Sequence, residues 1–311
     1  MSPWAYVAAF AASALVSVVL VAVSIKVAPR VGLLDGPDGG RKTQEHAVPK
    51  LGGIAVAITF TAAFLVLSVV VGDPGSIGLA ASVLLPALCV ALIGFLDDVI
   101  TLGPWLRLGT LSLFALVVWW TGTRVEISQL WWIDLLVTVI WIVGITNAVN
   151  LLDNSDGLAA STTLVASLGA GIIAALYGQY LIAGLSFALA GAALGFLWHN
   201  WHPASVYLGD AGAYFLGFLL AIVTLRLRPV SIDLPWSALL PVLLLLLPIA
   251  DTCFVVLRRL RERRHPFTPG RDHLSHLLMD RGLTVPRAVG ALQALLVISV
   301  LCAIGLAYFL R

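Results

Sequence analysis

Asn147-Ala-Val-Asn-Leu-Leu-Asp-Asn-Ser-Asp-Gly-Leu158 lies between two apolar runs that each look able to cross a bilayer. It carries two carboxylates, Asp153 and Asp156, together with Asn147, Asn150, Asn154 and Ser155. Turning a corner between two membrane helices needs far less polarity than this; a pair of Gly or Ser residues is enough. An Asp at the centre of a spanning helix costs roughly 2.5–3.5 kcal/mol on insertion scales, so polar clusters at membrane depth are functional candidates. Asp156 has a plainer role open to it, as N-cap of the next helix. That role leaves Asp153 and the asparagines unexplained.

Working outward, the whole chain of 311 residues is 60% hydrophobic and 11% charged, against about 25% charged in soluble domains. This composition excludes a soluble protein. It predicts an all-α, polytopic membrane protein forming one integral-membrane domain over 1–311, with about ten spans: 4–28, 51–71, 78–96, 108–121, 131–146, 158–176, 181–198, 211–225, 236–257 and 287–310. The first run is too long for the core of a cleaved signal and reads as a retained span. Cys89, Cys253 and Cys302 all fall within apolar runs and read as small packing or lipid-facing residues. Trp119, Trp120, Trp131 and Trp132 bracket one loop, as an interfacial aromatic belt would.

With ten spans, the loops 29–50, 97–107, 147–157, 199–210 and 258–286 share one side. Of the 18 Lys and Arg residues, only Arg124, Arg226, Arg228 and Arg311 fall opposite. The positive-inside rule therefore puts these five loops in the cytoplasm and both termini outside the cell membrane. The same loops hold nearly every unusual polar motif. Arg41, Lys42 and Lys50 suit phosphates as well as they suit the charge rule. Asp97 and Asp98 end a span, where the helix dipole and their mutual repulsion both call for a compensating positive charge, a divalent metal or a proton. Between His199 and Gly212 lie His202, Tyr207 and Asp210; Asp210 suits the cap of the next helix, Tyr207 an aromatic stacking surface or an interface anchor, and the two histidines the interface. The last loop is strongly basic and contains Arg271-Asp-His-Leu-Ser-His276, with His273 and His276 on one helix face. Asp251, inside the ninth span, is a buried carboxylate that needs a partner.

One face thus gathers Asp97, Asp98, Asp153, Asp156 and Asp210 with Gly, Arg and His. Magnesium takes oxygen ligands and is commonly shared with substrate phosphates. Acidic residues beside basic loops suggest diphosphate chemistry, in which catalysis is largely positioning and charge neutralisation. No Walker motif supports an ATP-driven pump. Carboxylates at helix ends, facing water, predict one soluble and one lipidic substrate.

Pro49-Lys-Leu-Gly-Gly53, Asp97-Asp98, Asn147 to Ala159, Pro203-Ala-Ser-Val-Tyr-Leu-Gly-Asp210-Ala-Gly212 and Arg271 to His276, in that order, resemble the polyprenyl-phosphate N-acetylhexosamine-1-phosphate transferases. The resemblance spans about 29–286. It implies that a membrane polyprenyl phosphate attacks the β-phosphate of a UDP-N-acetylhexosamine, most simply UDP-N-acetylglucosamine, and releases UMP in the first membrane step of an envelope glycan. Carried over by position, Asp210 and Asp98 would bind Mg2+ (or Mn2+). Asp97 and Asp98 would orient or deprotonate the lipid phosphate. Asn150, Asp153, Asp156, Tyr207, Arg271 and Lys42 would hold the nucleotide sugar, and His273 and His276 would act on the phosphates. A homodimer is compatible with the family; nucleic acid is not an expected partner.

The chain departs from the common family pattern at Asn154, where Gly is usual, at Gly270 and Ser275, where Asp and His are usual, and at Ala213 and Gln44. These departures predict an active variant with altered sugar contacts. Alternatives are a phospho-N-acetylmuramoyl-pentapeptide transferase or another UDP-sugar donor, a catalytically dead scaffold and, from a different class, a cation-coupled transporter. A transporter should place its carboxylates near mid-membrane and show repeated halves. Here they sit at helix ends.

Overall fold

The computed structural model describes residues 2–36, 46–71, 74–128, 130–227, 236–268 and 270–311. Lys42, with Arg41, Gln44 and Arg228, lies outside the described residues. The elements are α1 (Pro3–Val27), β1 (Leu34–Asp35), β2 (Val48–Pro49), α2 (Gly52–Val71), α3 (Pro74–Ile100), α4 (Pro104–Trp120), α5 (Trp131–Leu152), α6 (Leu158–Leu176), α7 (Tyr180–Asn200), α8 (Gly209–Leu225), α9 (Trp236–Leu244), α10 (Leu246–Arg261), α11 (Leu274–Asp280) and α12 (Val285–Phe309).

The all-α, multi-pass class stands. The count of ten needs qualification. Among the described residues, seven helices are long and apolar enough to span a bilayer, and α9 with α10 makes an eighth if that bent pair is one span. The pair bends by 76°. Pro248 explains the break: its ring lacks an N–H and clashes with the carbonyl of Leu244, where α9 stops. α4 and α8 have 17 residues each, short of the ~20 that a full crossing takes. Every expected span nevertheless falls on a helix or on this bent pair.

The helices are organised around α8, which is buried from Ala211 to Thr224 and packs against α2, α3 and α5. A helix surrounded by neighbours has no polar face to spare, which accounts for its unbroken apolar run. Close approach at its polar end depends on missing side chains. A Cβ on Gly53 would collide with the backbone of Gly212, and one on Gly94 with the carbonyl of Asp210. Both neighbours are main chain and cannot swing aside. Gly53→Ala is therefore expected to destabilise the bundle by about 1–3 kcal/mol and to lower its thermal midpoint in detergent. An unshifted midpoint would mean that α2 and α8 separate freely.

Of the four tryptophans that bracket the α4–α5 loop, Trp120, Trp131 and Trp132 are exposed and Trp119 is half-buried. The three cysteines are free and exposed, as lipid-facing residues would be. β1 and β2 pair antiparallel through Leu34–Pro49 and Asp35–Val48, folding the start of α2 back toward the polar end.

Candidate active site

The 147–157 stretch is only half a loop. Asn147 to Leu152 continue α5, and the chain turns between Asp153 and Gly157. Asn150 is thereby carried on a rigid helix end, from which its Nδ2 donates to Asp210 Oδ1 at 2.7 Å. Gly157 has φ +76°, in the left-handed region that Gly enters without strain, and its N–H donates to Asn200 Oδ1 at 3.0 Å. Gly157, not Asp156, is the N-cap of α6, and no side chain caps it. Asp156 instead faces the 201–208 loop: its Oδ2 lies 2.7 Å from His202 Nδ1 and accepts the Ala204 N–H at 3.1 Å. His199 turns the other way, with Nε2 3.1 Å from the carbonyl of Val18.

Asp98 and Asp210 come together from α3 and α8. Asp98 Oδ2 accepts the Ala211 N–H at 3.1 Å, which sets its carboxylate against the first turn of α8, one residue from Asp210. Asp210 lies in the first turn of α8 and makes no cap bond with its side chain. Lys50 Nζ sits 3.9 Å from Asp98 and 3.2 Å from Asp35. Asp97, one residue earlier on α3, looks elsewhere. Its Oδ2 accepts from Arg107 Nη1 at 2.9 Å and its Oδ1 from the Leu102 N–H at 2.6 Å. The positive charge that the Asp97–Asp98 pair required is thus supplied in part by Arg107, ten residues on.

Asp153 joins this acidic group. Its burial, then the charges of Asp210, Asp98 and Asp156, push its carboxyl up to about 7. Tyr207 flanks the group, its N–H donating to the Pro49 carbonyl at 2.8 Å; burial and the nearby Asp156, Asp35 and Asp153 raise its phenol to about 12, so it is uncharged at neutral pH.

The histidines arrive on α11. His273 is its N-cap residue, and its Nδ1 lies 2.7 Å from Asp251 Oδ2, the partner that buried carboxylate needed. Asp251 Oδ1 also accepts the Leu274 N–H at 2.8 Å. The rings of His273 and His276 are 5.7 Å apart. Burial, then the positive charge of Arg271, lower His276 to about 4; it is neutral at pH 7, and its buried Nδ1 has no hydrogen-bond partner among the described residues. Arg271 itself is exposed. Asp272 is bound by Arg259 Nε at 3.0 Å and Arg264 Nη2 at 2.6 Å; the Arg264 and Arg259 bonds hold it down near 2, and it anchors the loop.

Among the described residues, no three His, Cys, Asp or Glu side chains converge as a self-sufficient metal cage. The donor set at the centre is two carboxylates, Asp98 and Asp210, with the Asn150 amide beside them. That suits a hard cation that keeps waters and takes further oxygens from substrate phosphates. It does not suit a structural zinc site, which is closed by four ligands, chiefly thiolate and imidazole. Beside the centre, an apolar groove of about 450 Å3 between α2 and α3 is lined by Gly53, Ala57, Leu88, Phe95 and Ala211, among others. Reading the sequence missed Lys50's approach to Asp98, Arg107 and Asn200. The first two appeared only as basic charge, and Asn200 carried no signal before its partners were known.

A helical membrane bundle with an acidic, oxygen-rich centre at one end, and imidazole and guanidinium groups on the adjoining segments, has the chemistry to receive phosphate-bearing ligands. The chain belongs to glycosyl transferase family 4, whose model matches residues 80–228. It is 31% identical over 287 residues to the probable undecaprenyl-phosphate N-acetylglucosaminyl 1-phosphate transferase of Bacillus subtilis, covering 89% of this chain and 78% of that one. It is 31% identical to the decaprenyl-phosphate N-acetylglucosaminephosphotransferase of Mycolicibacterium smegmatis, over 80% of this chain and 69% of that one. It is 32% identical to the phospho-N-acetylmuramoyl-pentapeptide-transferase of Streptococcus thermophilus, over 73% of each.

Proposed function

We propose that this protein transfers N-acetylglucosamine 1-phosphate from UDP-N-acetylglucosamine to a membrane polyprenyl phosphate, at the cytoplasmic face of the cell membrane, with both termini outside and α4, α8 and the α9–α10 pair completing ten crossings. The observation that carries the reading is the meeting of Asp98 and Asp210 from separate helices, with Asn150 bonded to Asp210. The names of the relatives support the same class of reaction.

An oxygen of the lipid phosphate forms a bond to the β-phosphorus of the UDP-sugar. The bond from that phosphorus to the oxygen bridging the α-phosphate breaks, and UMP leaves with the bridging oxygen. Asp98 accepts a proton from the lipid phosphate where that group is still protonated. Asp210 and Asp98 would hold a divalent cation, Mg2+ or Mn2+, which would supply charge neutralisation for the diphosphate. Arg107, held by Asp97, and Lys50 add fixed positive charge nearby. Asp153, Asp156, Tyr207, Arg271 and Lys42 hold the nucleotide sugar, and His273 and His276 contact phosphate oxygens. The apolar groove beside Ala211 has the chemistry to take part of the polyprenyl chain.

The test is UMP release by purified protein with undecaprenyl phosphate, Mg2+ and a panel of UDP-sugars. Turnover with UDP-N-acetylglucosamine that EDTA stops and added Mg2+ restores is the expected result. Turnover with another donor alone would move the specificity; turnover indifferent to EDTA would remove the metal. Within the same assay, Tyr207→Ala should raise KM for the UDP-sugar about tenfold, in line with base–aromatic stacking worth about 1–3 kcal/mol, with a smaller fall in kcat. An unchanged KM would make Tyr207 an interface anchor only.

A further inference from the structure

Two positions where the chain departs from the common family pattern touch each other. Ser275 Oγ donates to Asn154 Oδ1 at 2.6 Å, across 121 residues of sequence. Ser275 is fully buried. The orientation of the amide is set by its other bonds: Nδ2 donates to the Leu151 carbonyl at 2.8 Å, which requires the NH2 side there, and Ser155 Oγ donates to Oδ1 at 3.1 Å. Asn154 Oδ1 therefore has both of its acceptor positions filled by protein, and one Nδ2 hydrogen is held by the Leu151 carbonyl.

The bond joins two pieces of chain that carry different parts of the site. Asn154 lies in the turn with Asp153 and Asp156; Ser275 lies on α11 between His273 and His276. α11 is a short helix. Its start is pinned by Asp251, through His273 Nδ1 and the Leu274 N–H, but that contact ties it to α10 and not to the α5–α6 turn. α11 also packs against α12, and the Ser275 bond adds a fixed point on the α5–α6 turn that α10 and α12 do not supply.

We propose that Asn154 and Ser275 form a positioning pair, which locks α11 to the α5–α6 turn and so sets the separation between the histidines and the carboxylates that bind the nucleotide sugar. Ser275, fully buried, acts through Asn154 and not on substrate directly. The proposal rests on the transferase reading and adds a specific contact to it.

The experiment compares Ser275→Ala, Asn154→Ala, the double variant and Ser275→Thr, each purified and checked for its thermal midpoint, with KM measured separately for UDP-N-acetylglucosamine and undecaprenyl phosphate. KM does not depend on the fraction of active protein, so a merely structural loss leaves it unmoved. Each Ala variant should raise KM for the UDP-sugar about five- to tenfold, the scale of one buried hydrogen bond, and leave KM for the lipid unchanged. The double variant should add nothing to the larger single effect, because the two side chains make one contact. Ser275→Thr keeps the donor hydroxyl and should stay near wild type. If Ser275→Ala fails to fold, Asn154→Ala, at a half-buried position, carries the same test. Unchanged KM for the UDP-sugar in the Ala variants, or additive effects in the double, would overturn the pair. Absence of UMP release by the wild-type protein with every donor would instead overturn the transferase reading, and the pair with it.

Discussion

Asp210→Asn should reduce UMP release by roughly 10³-fold while the protein still inserts and unfolds at the wild-type temperature. The substitution is nearly isosteric, and an Asn side-chain oxygen still accepts the Asn150 Nδ2 hydrogen bond, 2.7 Å long in the native protein. What disappears is one negative charge at the head of α8. That charge is costly where it stands: it lies at the end of a buried helix, close to Asp98 and Asp153. Carboxylates held this close need a proton or a cation from a ligand to offset their repulsion, and oxygen donors open to substrate phosphates suit the cation. Removing one should therefore ease folding or leave it unchanged, and abolish the chemistry. Full activity in Asp210→Asn would remove the metal assignment.

Asp98→Asn should be nearly as severe, and its neighbour should behave differently. Asp98 faces Ala211 and Asp210, so its loss removes charge from the centre and is expected to cost about 10²–10³-fold in kcat with little change in thermal midpoint. Asp97 has both oxygens committed, to Arg107 and to the Leu102 N–H. In Asp97→Asn the amide NH2 would confront the Arg107 guanidinium. Solvent reaches Arg107, which is 29% exposed, so the penalty should be about 1–3 kcal/mol of stability. The measurement is the pair of unfolding curves beside the pair of turnover numbers. Near-normal turnover in Asp98→Asn would take the proton-accepting role away from it. A stable Asp97→Asn with greatly reduced kcat would bring that role to Asp97.

The contrast between these neighbours shows what the chain makes legible and what it hides. Two adjacent acids at a helix end announce that compensation is needed, because dipole and mutual repulsion both oppose them. Asp97 takes Arg107 at 2.9 Å, across the α3–α4 turn and beyond the three- and four-residue spacings that a helix pattern reveals, while Asp98 has Lys50 at 3.9 Å. Helix positions were readable from apolar runs because lipid imposes them. Boundaries failed where polar residues remain helical, as in Asn147 to Leu152, where Asn147 bonds the Val143 carbonyl of its own helix and Asn150 bonds Asp210 of α8. The number of crossings blurred at α4 and α8, which are short, and at the Pro248 break. The carboxylates were recognisable by residue type. Their partners were not: Asp156 with His202, Asp251 with His273, and Asn154 with Ser275 are made by packing of elements 22 to 121 residues apart. Such pairs leave no local signature.

The central claim is that the β-phosphorus of the donor moves to a lipid. UDP-N-acetylglucosamine labelled at that phosphorus, incubated with purified protein, undecaprenyl phosphate and Mg2+, tests it directly. The account predicts that the label passes into the organic phase in step with release of unlabelled UMP, and that Asp210→Asn leaves it in water. Label that stays in the aqueous phase with the wild-type protein, whether or not UMP appears, would contradict it.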